Sequence, residues 1–164
     1  MKVLFIGGTG QISKAVSKLC VEQKIDLYVL NRGNNNHLIP KGVHSIVGDI
    51  YNVEETKEAL KGHQFDCVVN WIAFTKEHVE RDYNLFKDIT KQYIFISSAS
   101  AYQKPVLDYP ITEETPLENP YWQYSRDKIA CEEYLLSIHN DDFNVTIVRP
   151  SHTYDNEKLM TIIK

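Results

Sequence analysis

The chain has 164 residues, of which 43% are hydrophobic and 24% charged, and a formal net charge of -4. That length suits one domain, able to bury well over half of its extended-chain surface. The negative balance and the lack of any Lys/Arg run give no general attraction to nucleic acid or anionic membranes. The apolar stretches are too short to span a bilayer.

Met1-Lys2-Val3-Leu4-Phe5-Ile6 passes directly into glycines, so the opening reads as a first strand and not as a signal peptide. Cys20, Cys67 and Cys131 lack metal-ligand spacing and suit a reducing compartment, and the cytoplasm is the expected location. The histidines show no ligand spacing either, and no metal site is expected.

The periodicity then alternates. After the strand Val3 to Ile6, the segment Gln11 to Gln23 sets Ile12, Ala15, Val16, Leu19 and Cys20 on one helical face. Leu27 to Leu30 reads as a second strand, followed by the polar loop Gly33-Asn34-Asn35-Asn36. Val43 to Val47 is a third strand and Val53 to Leu60 a short helix. Cys67 to Trp71 is a fourth strand, followed by an amphipathic helix from about Lys76 to Ile89. Tyr93 to Ile96 is a fifth strand ending in Ser97-Ser98-Ala99-Ser100. A proline-rich stretch from Ala101 to Pro120 reads as structureless, and a loop of that length inside a domain is usually functional. Trp122 to Ile138 is helical, and Val145 to Val148 is a sixth strand before Arg149-Pro150. Strands separated by helices predict an α/β fold: a Rossmann-type doubly wound parallel sheet, order 3-2-1-4-5-6, with helices on both faces.

Gly7-Gly8-Thr9-Gly10-Gln11-Ile12-Ser13 stands where strand one meets the first helix. Such a turn lets backbone amides and the helix N-terminus approach a pyrophosphate, with Gly7 and Gly10 needed because a side chain would clash or force an unfavourable backbone angle. Ser13 replaces the glycine that often permits close helix–strand packing, and is expected to push the helix out slightly. Asn31, where an acidic residue usually holds the adenosine ribose, still hydrogen-bonds a hydroxyl without repelling a 2′-phosphate. Arg32 would pair with that phosphate, and Lys14 would add positive charge nearby, so NADP is expected ahead of NAD. In Gly48-Asp49-Ile50 the carboxylate would accept from the adenine amino group while Ile50 packs on the ring. The alternative is that Asp49 caps the helix starting near Val53. No Lys-Ser or Lys-Thr pair closes the glycine loop, which argues against a P-loop.

Tyr124 and Lys128 have the Tyr-x-x-x-Lys spacing that puts both on one helix face, where an ammonium favours the phenolate. Tyr83 with Lys87 and Tyr154 with Lys158 share that spacing. Only the helix of Tyr124 follows the serine-rich end of strand five, so Ser98 is expected to meet the Tyr124 hydroxyl and polarise a substrate carbonyl or alcohol. Ser97 and Ser100 read as ordinary turn hydroxyls.

The ordered set Gly7-Gly8-Thr9-Gly10, Gly48-Asp49-Ile50, Asn70-Trp71-Ile72-Ala73, Phe95 to Tyr102, Tyr124 with Lys128, and Val148-Arg149-Pro150-Ser151 resembles the extended short-chain dehydrogenase/reductase group, specifically its NAD(P)-dependent epimerase/dehydratase family. The resemblance implies a Ser98, Tyr124 and Lys128 triad acting on a nucleotide sugar or related carbonyl substrate. Tyr124 would be the acid/base, Lys128 would bind nicotinamide ribose, and Ser98 would orient substrate. It further implies that Ala73 lets the cofactor pass close, that Pro150 and Ser151 approach the nicotinamide, and that the helices from Lys76 and from Trp122 form a homodimer interface. Residues 1–164 would be the NAD(P)-binding domain of a longer enzyme whose C-terminal substrate domain is absent. Ser13 and Asn31 move the cofactor site off the commonest pattern, as in atypical branches of the group, which implies the alternative of a non-catalytic dinucleotide-binding regulator or RNA-associated protein.

Overall fold

The computed structural model describes residues 1–154. The elements follow as β1 (Lys2–Ile6), α1 (Gln11–Glu22), β2 (Asp26–Asn31), β3 (His44–Val47), α2 (Val53–Ala59), β4 (Cys67–Asn70), α3 (Lys76–Phe86), β5 (Gln92–Ile96), α4 (Gln123–Ile138) and β6 (Asn144–Val148). Short 3₁₀ turns occupy Asn36–Leu38 and Ala99–Ala101. All pairings are parallel, in one sheet of order β3-β2-β1-β4-β5-β6. The predicted doubly wound order is the one found.

Strand alternation divides the core between the two faces. Leu4, Ile6, Val68, Tyr93 and Phe95 pack with Val79 and Phe86 of α3 and with Cys131 and Leu135 of α4. Val3, Phe5, Leu27, Val29, Cys67 and Val69 pack with Cys20 of α1. Because every strand runs the same way, the loops after all of them emerge at one edge, where ligands of doubly wound sheets bind. No helix among the described residues is long and apolar enough to cross a membrane.

Two expectations are corrected. The buried stripe of α1 is Ser13, Ser17 and Cys20, while Leu19 and Ala15 face solvent. Cys20 and Val16 pack on the sheet side as expected, but Ser13 and Ser17, and not Ala15 and Leu19, complete the buried face. The stretch from Ala101 to Pro120 is not structureless. It doubles back through an antiparallel bridge between Tyr102 and Leu117 and through the amides of Gln103 and Lys104, which donate to Pro116 and Glu118 carbonyls at 2.8 and 2.7 Å.

Candidate functional site

The loop after β1 turns through positive φ at Gly7 (80°) and Gly8 (156°). A Cβ on Gly8 would stand 2.8 Å from Val29 Cγ1, and one on Gly7 3.0 Å from Ile72 Cγ2. These two glycines are therefore required by the fold itself. At Gly10 the backbone makes no such demand: as N-cap of α1 its φ of -78° and ψ of 172° suit any residue, and a Cβ there would meet only Ser13 Oγ, at 3.4 Å, which leaves close approach of a ligand as the reason for glycine. The buried Ser13 hydroxyl accepts from Gly10 N at 2.9 Å and donates to Gly10 O at 3.2 Å, pinning the loop to the helix.

Beside the loop lies a hollow of about 310 Å³, lined by Gly7, Thr9, Asn31, Arg32, Gly48, Asp49 and Ile50, together with Tyr51, Asn34, Asn35, Leu30 and Ile72. Asn31 Oδ1 accepts from Gly33 N at 2.6 Å, whereas Asn31 Nδ2 is buried without a partner. An orphaned buried donor costs about 1–3 kcal/mol, and a ribose hydroxyl or phosphate oxygen reaching it would supply the missing acceptor. The site thus fits the adenosine end of a dinucleotide. Arg32 is exposed at the rim, while Lys14 does not line the hollow. Asp49 Oδ1 accepts from Tyr51 N at 3.1 Å. The cap of α2 is Asn52, whose Oδ1 accepts from Glu55 N at 3.3 Å, so Asp49 is not the capping residue. Ile50 is mostly packed into the core beneath the hollow.

At the ends of β4 and β5 the structure brings Ala73, Ser98, Tyr124 and Lys128 together. Lys128 is 2% exposed, and its Nζ donates to the carbonyls of Ala73 at 2.7 Å and Ile96 at 2.8 Å. The ammonium also lies over the rings of Phe95, Phe74 and Tyr124, at 4.6, 4.9 and 5.7 Å. Burial pushes the Lys128 pKa down to about 8, so the side chain stays largely protonated at neutral pH. Burial holds the Tyr124 phenol above its usual range, and hydrogen bonding from Ser98 pulls it the other way. Ser98 Oγ also accepts from Ser100 N at 3.1 Å. Ala73 is buried and presents its carbonyl to Lys128. Pro150 O accepts from Ala99 N at 2.9 Å, and Ser151 is exposed beyond it. Of the other two pairs, Tyr83 packs on Phe143 at 5.1 Å within the α3 side of the core, and Lys158 lies outside the described residues.

Two buried networks hold this edge, and neither is legible from local sequence. Asp82 on α3 receives hydrogen bonds from Asn70 Nδ2, from Tyr93 Oη at 2.5 Å and from Arg81 at 2.7 Å. Asn70 in turn accepts from Ile72 N at 2.7 Å, which fixes the turn leading to Ala73. Glu132 on α4 accepts from Ser97 Oγ and from Arg149, whose closest contact is 2.6 Å. Ser97 is thus a structural anchor and not a turn hydroxyl. Arg149 also donates to Tyr102 Oη at 3.1 Å. Beside Lys128, His78 Nδ1 accepts from Phe74 N at 3.1 Å.

The chain is similar to known proteins across most of its length. It is 30% identical over 155 residues to a UDP-glucose 4-epimerase of Lactobacillus helveticus, covering 82% of this chain and 46% of that protein. Among solved structures, the UDP-Glc/GlcNAc 4-epimerase of Campylobacter jejuni matches with a TM-score of 0.78 and 21% identity, over 90% of this chain and 52% of the other. The Bordetella bronchiseptica enzyme WbmG, solved with NAD and UDP, gives 0.73 and 19%, over 91% and 52%. At those identities the likeness is one of fold. The chain spans about half the length of these relatives. Residues 3–158 match the profile of the NAD dependent epimerase/dehydratase family, and with the glycine loop and parallel sheet already described the chain belongs to that family.

Proposed function

We propose that this chain is the dinucleotide-binding part of an NAD-dependent epimerase or dehydratase that acts on a nucleotide sugar. The observation that carries the reading is the meeting of Tyr124, Ser98 and buried Lys128 at the same sheet edge as the glycine loop. Its 30% identical relative is a UDP-glucose 4-epimerase, and WbmG was solved with NAD and UDP. The three buried free cysteines fit a reducing compartment, the cytoplasm, and α3 packed beside α4 offers the surface for a homodimer.

Gly7 to Ile12 would hold the pyrophosphate at the start of α1, and Asn31, Asp49 and Ile50 the adenosine. Hydride acceptance and return are the chemistry that a bound NAD supplies. Tyr124 would take the proton of a substrate hydroxyl as that carbon is oxidised and give it back on reduction. For this the phenol must fall from its raised pKa; the Ser98 hydrogen bond pulls it down, and a positive charge on nearby Lys128 would favour the phenolate further. Ser98 would hold the reacting oxygen against the Tyr124 hydroxyl. Ala73, Pro150 and Ser151 would border the nicotinamide side. The family is NAD-dependent. Asn31 and Arg32 support a finer reading, that this chain takes NADP as well and holds it at least as tightly. Incubating the protein with NAD and UDP-glucose, and following sugar epimers by NMR, tests the reaction. Turnover abolished by Tyr124→Phe supports the assignment; full turnover without the phenol removes it.

A further inference from the structure

The rings around Tyr124 are not needed to explain the acid/base group, and two of them stand in solvent. Trp122, the residue before α4, is 54% exposed, and Phe74, in the turn after β4, is 43% exposed. Each packs on the Tyr124 ring, with centroids 4.8 Å apart for Trp122 and 6.4 Å for Phe74. Both are held from behind. The Phe74 amide donates to His78, and the Phe74 ring lies over the Lys128 ammonium. The Trp122 carbonyl accepts from Ser125 N and Arg126 N in the first turn of α4. Two large rings are thus fixed, half uncovered, beside the hydroxyls of Tyr124 and Ser98. An apolar wall with a few placed polar groups is the composition of a small-molecule site.

We propose that Phe74 and Trp122 form the platform on which the sugar ring of the substrate rests. The proposal builds on the functional reading above and adds the residues that bind the reacting ring. A pyranose offers a patch of C–H bonds on its face and hydroxyls around its rim. The π-faces of Phe74 and Trp122 carry partial negative charge that attracts those C–H groups, while Ser98 and Tyr124 meet the rim. A nucleobase has the planar face to stack as well, but the carbon that undergoes chemistry must lie at the Tyr124 hydroxyl. In a nucleotide sugar that carbon belongs to the sugar.

The test is binding of UDP-glucose and of UDP to the protein with NAD present, in wild type, Trp122→Ala and Phe74→Ala, by calorimetry. Tryptophan emission gives a parallel signal, because Trp71 packs against Phe5 at 5.2 Å and Trp122 is the exposed indole of the two in the chain. The expected result is a blue shift of emission with UDP-glucose and a loss of about tenfold in UDP-glucose affinity in each variant. UDP affinity stays within about twofold, and NADH binding is retained as the check that the fold and cofactor site persist. UDP-glucose affinity unchanged in both variants overturns the proposal. So does an equal loss for UDP, which would place the nucleobase on the rings, and so does a wild type that binds NADH but not UDP-glucose. Because the readout is binding, it is separate from the turnover test of Tyr124: loss of the Tyr124 assignment leaves the platform standing or falling on its own data.

Discussion

The glycines of the first loop divide into those the fold needs and one that the ligand needs, and alanine substitutions separate them. In Gly8→Ala the new Cβ stands 2.8 Å from Cγ1 of fully buried Val29, which has strand neighbours on both sides. Overpacking of that kind costs about 1–3 kcal/mol, and the positive φ adds roughly 1 kcal/mol or more. The expected loss is about 2–4 kcal/mol, which for an m-value near 2 kcal/mol/M lowers the urea midpoint by roughly 1–2 M. Gly10→Ala meets only Ser13 Oγ, at 3.4 Å, in a conformation open to any residue. Its small capping cost is offset by reduced freedom of the unfolded chain, leaving stability within about 1 kcal/mol. Its methyl group would instead stand where a pyrophosphate approaches, and NADH affinity should fall about tenfold or more. The assay is urea unfolding without cofactor, followed by calorimetric titration with NADH. Gly10→Ala unfolding as early as Gly8→Ala, or binding NADH as wild type does, would refute this division.

The buried polar groups give further expected outcomes. Asp82→Ala removes the acceptor shared by Asn70, Tyr93 and Arg81 and should cost about 3–5 kcal/mol in urea unfolding, while loosening the turn to Ala73. Lys128, pushed down to about 8 in the folded state, binds fewer protons there than in the unfolded chain between about pH 8 and 10.5. Stability of wild type relative to Lys128→Met should therefore rise through that window, by up to about 3 kcal/mol, and stay flat below it. On the proposed mechanism the protonated form is also the one that would favour the Tyr124 phenolate, so turnover should fall as pH rises past about 8. Asn31→Asp replaces the orphaned amide donor with a carboxylate, and should weaken NADPH at least tenfold against NADH in a competitive titration.

How much of this was legible in the sequence depended on whether a feature is local. Apolar runs such as Val68–Val69 and Phe95–Ile96 located the strands within a residue or two, and parallel order followed from the helices between them. The helix expected to run to Ile89 stops at Phe86, where the amides of Ile89 and Thr90 both turn back to the Phe86 carbonyl. The face of α1 is right at Val16 and Cys20 and wrong at Ala15 and Leu19, because periodicity ranks residues by hydrophobicity and passes over the buried Ser13 and Ser17. Ser98, Tyr124 and Lys128 are candidates on spacing and position along the chain, and the fold brings them to one edge. The partners that set them, the Ala73 and Ile96 carbonyls under Lys128 and the Asp82 and Glu132 networks, lie tens of residues away in sequence. Phe74 and Trp122 carried no pattern at all: their meaning comes from exposure beside Tyr124, which only the fold reveals.

If the hollow beside Gly7 and Asn31 holds a nicotinamide dinucleotide, calorimetric titration of the folded protein with NADH and then NADPH will show it. The expected result is saturable one-site binding of both, weakened about tenfold or more by Gly10→Ala, with NADPH at least as tight as NADH. A folded sample that takes up neither cofactor would mean that the hollow is not a dinucleotide site.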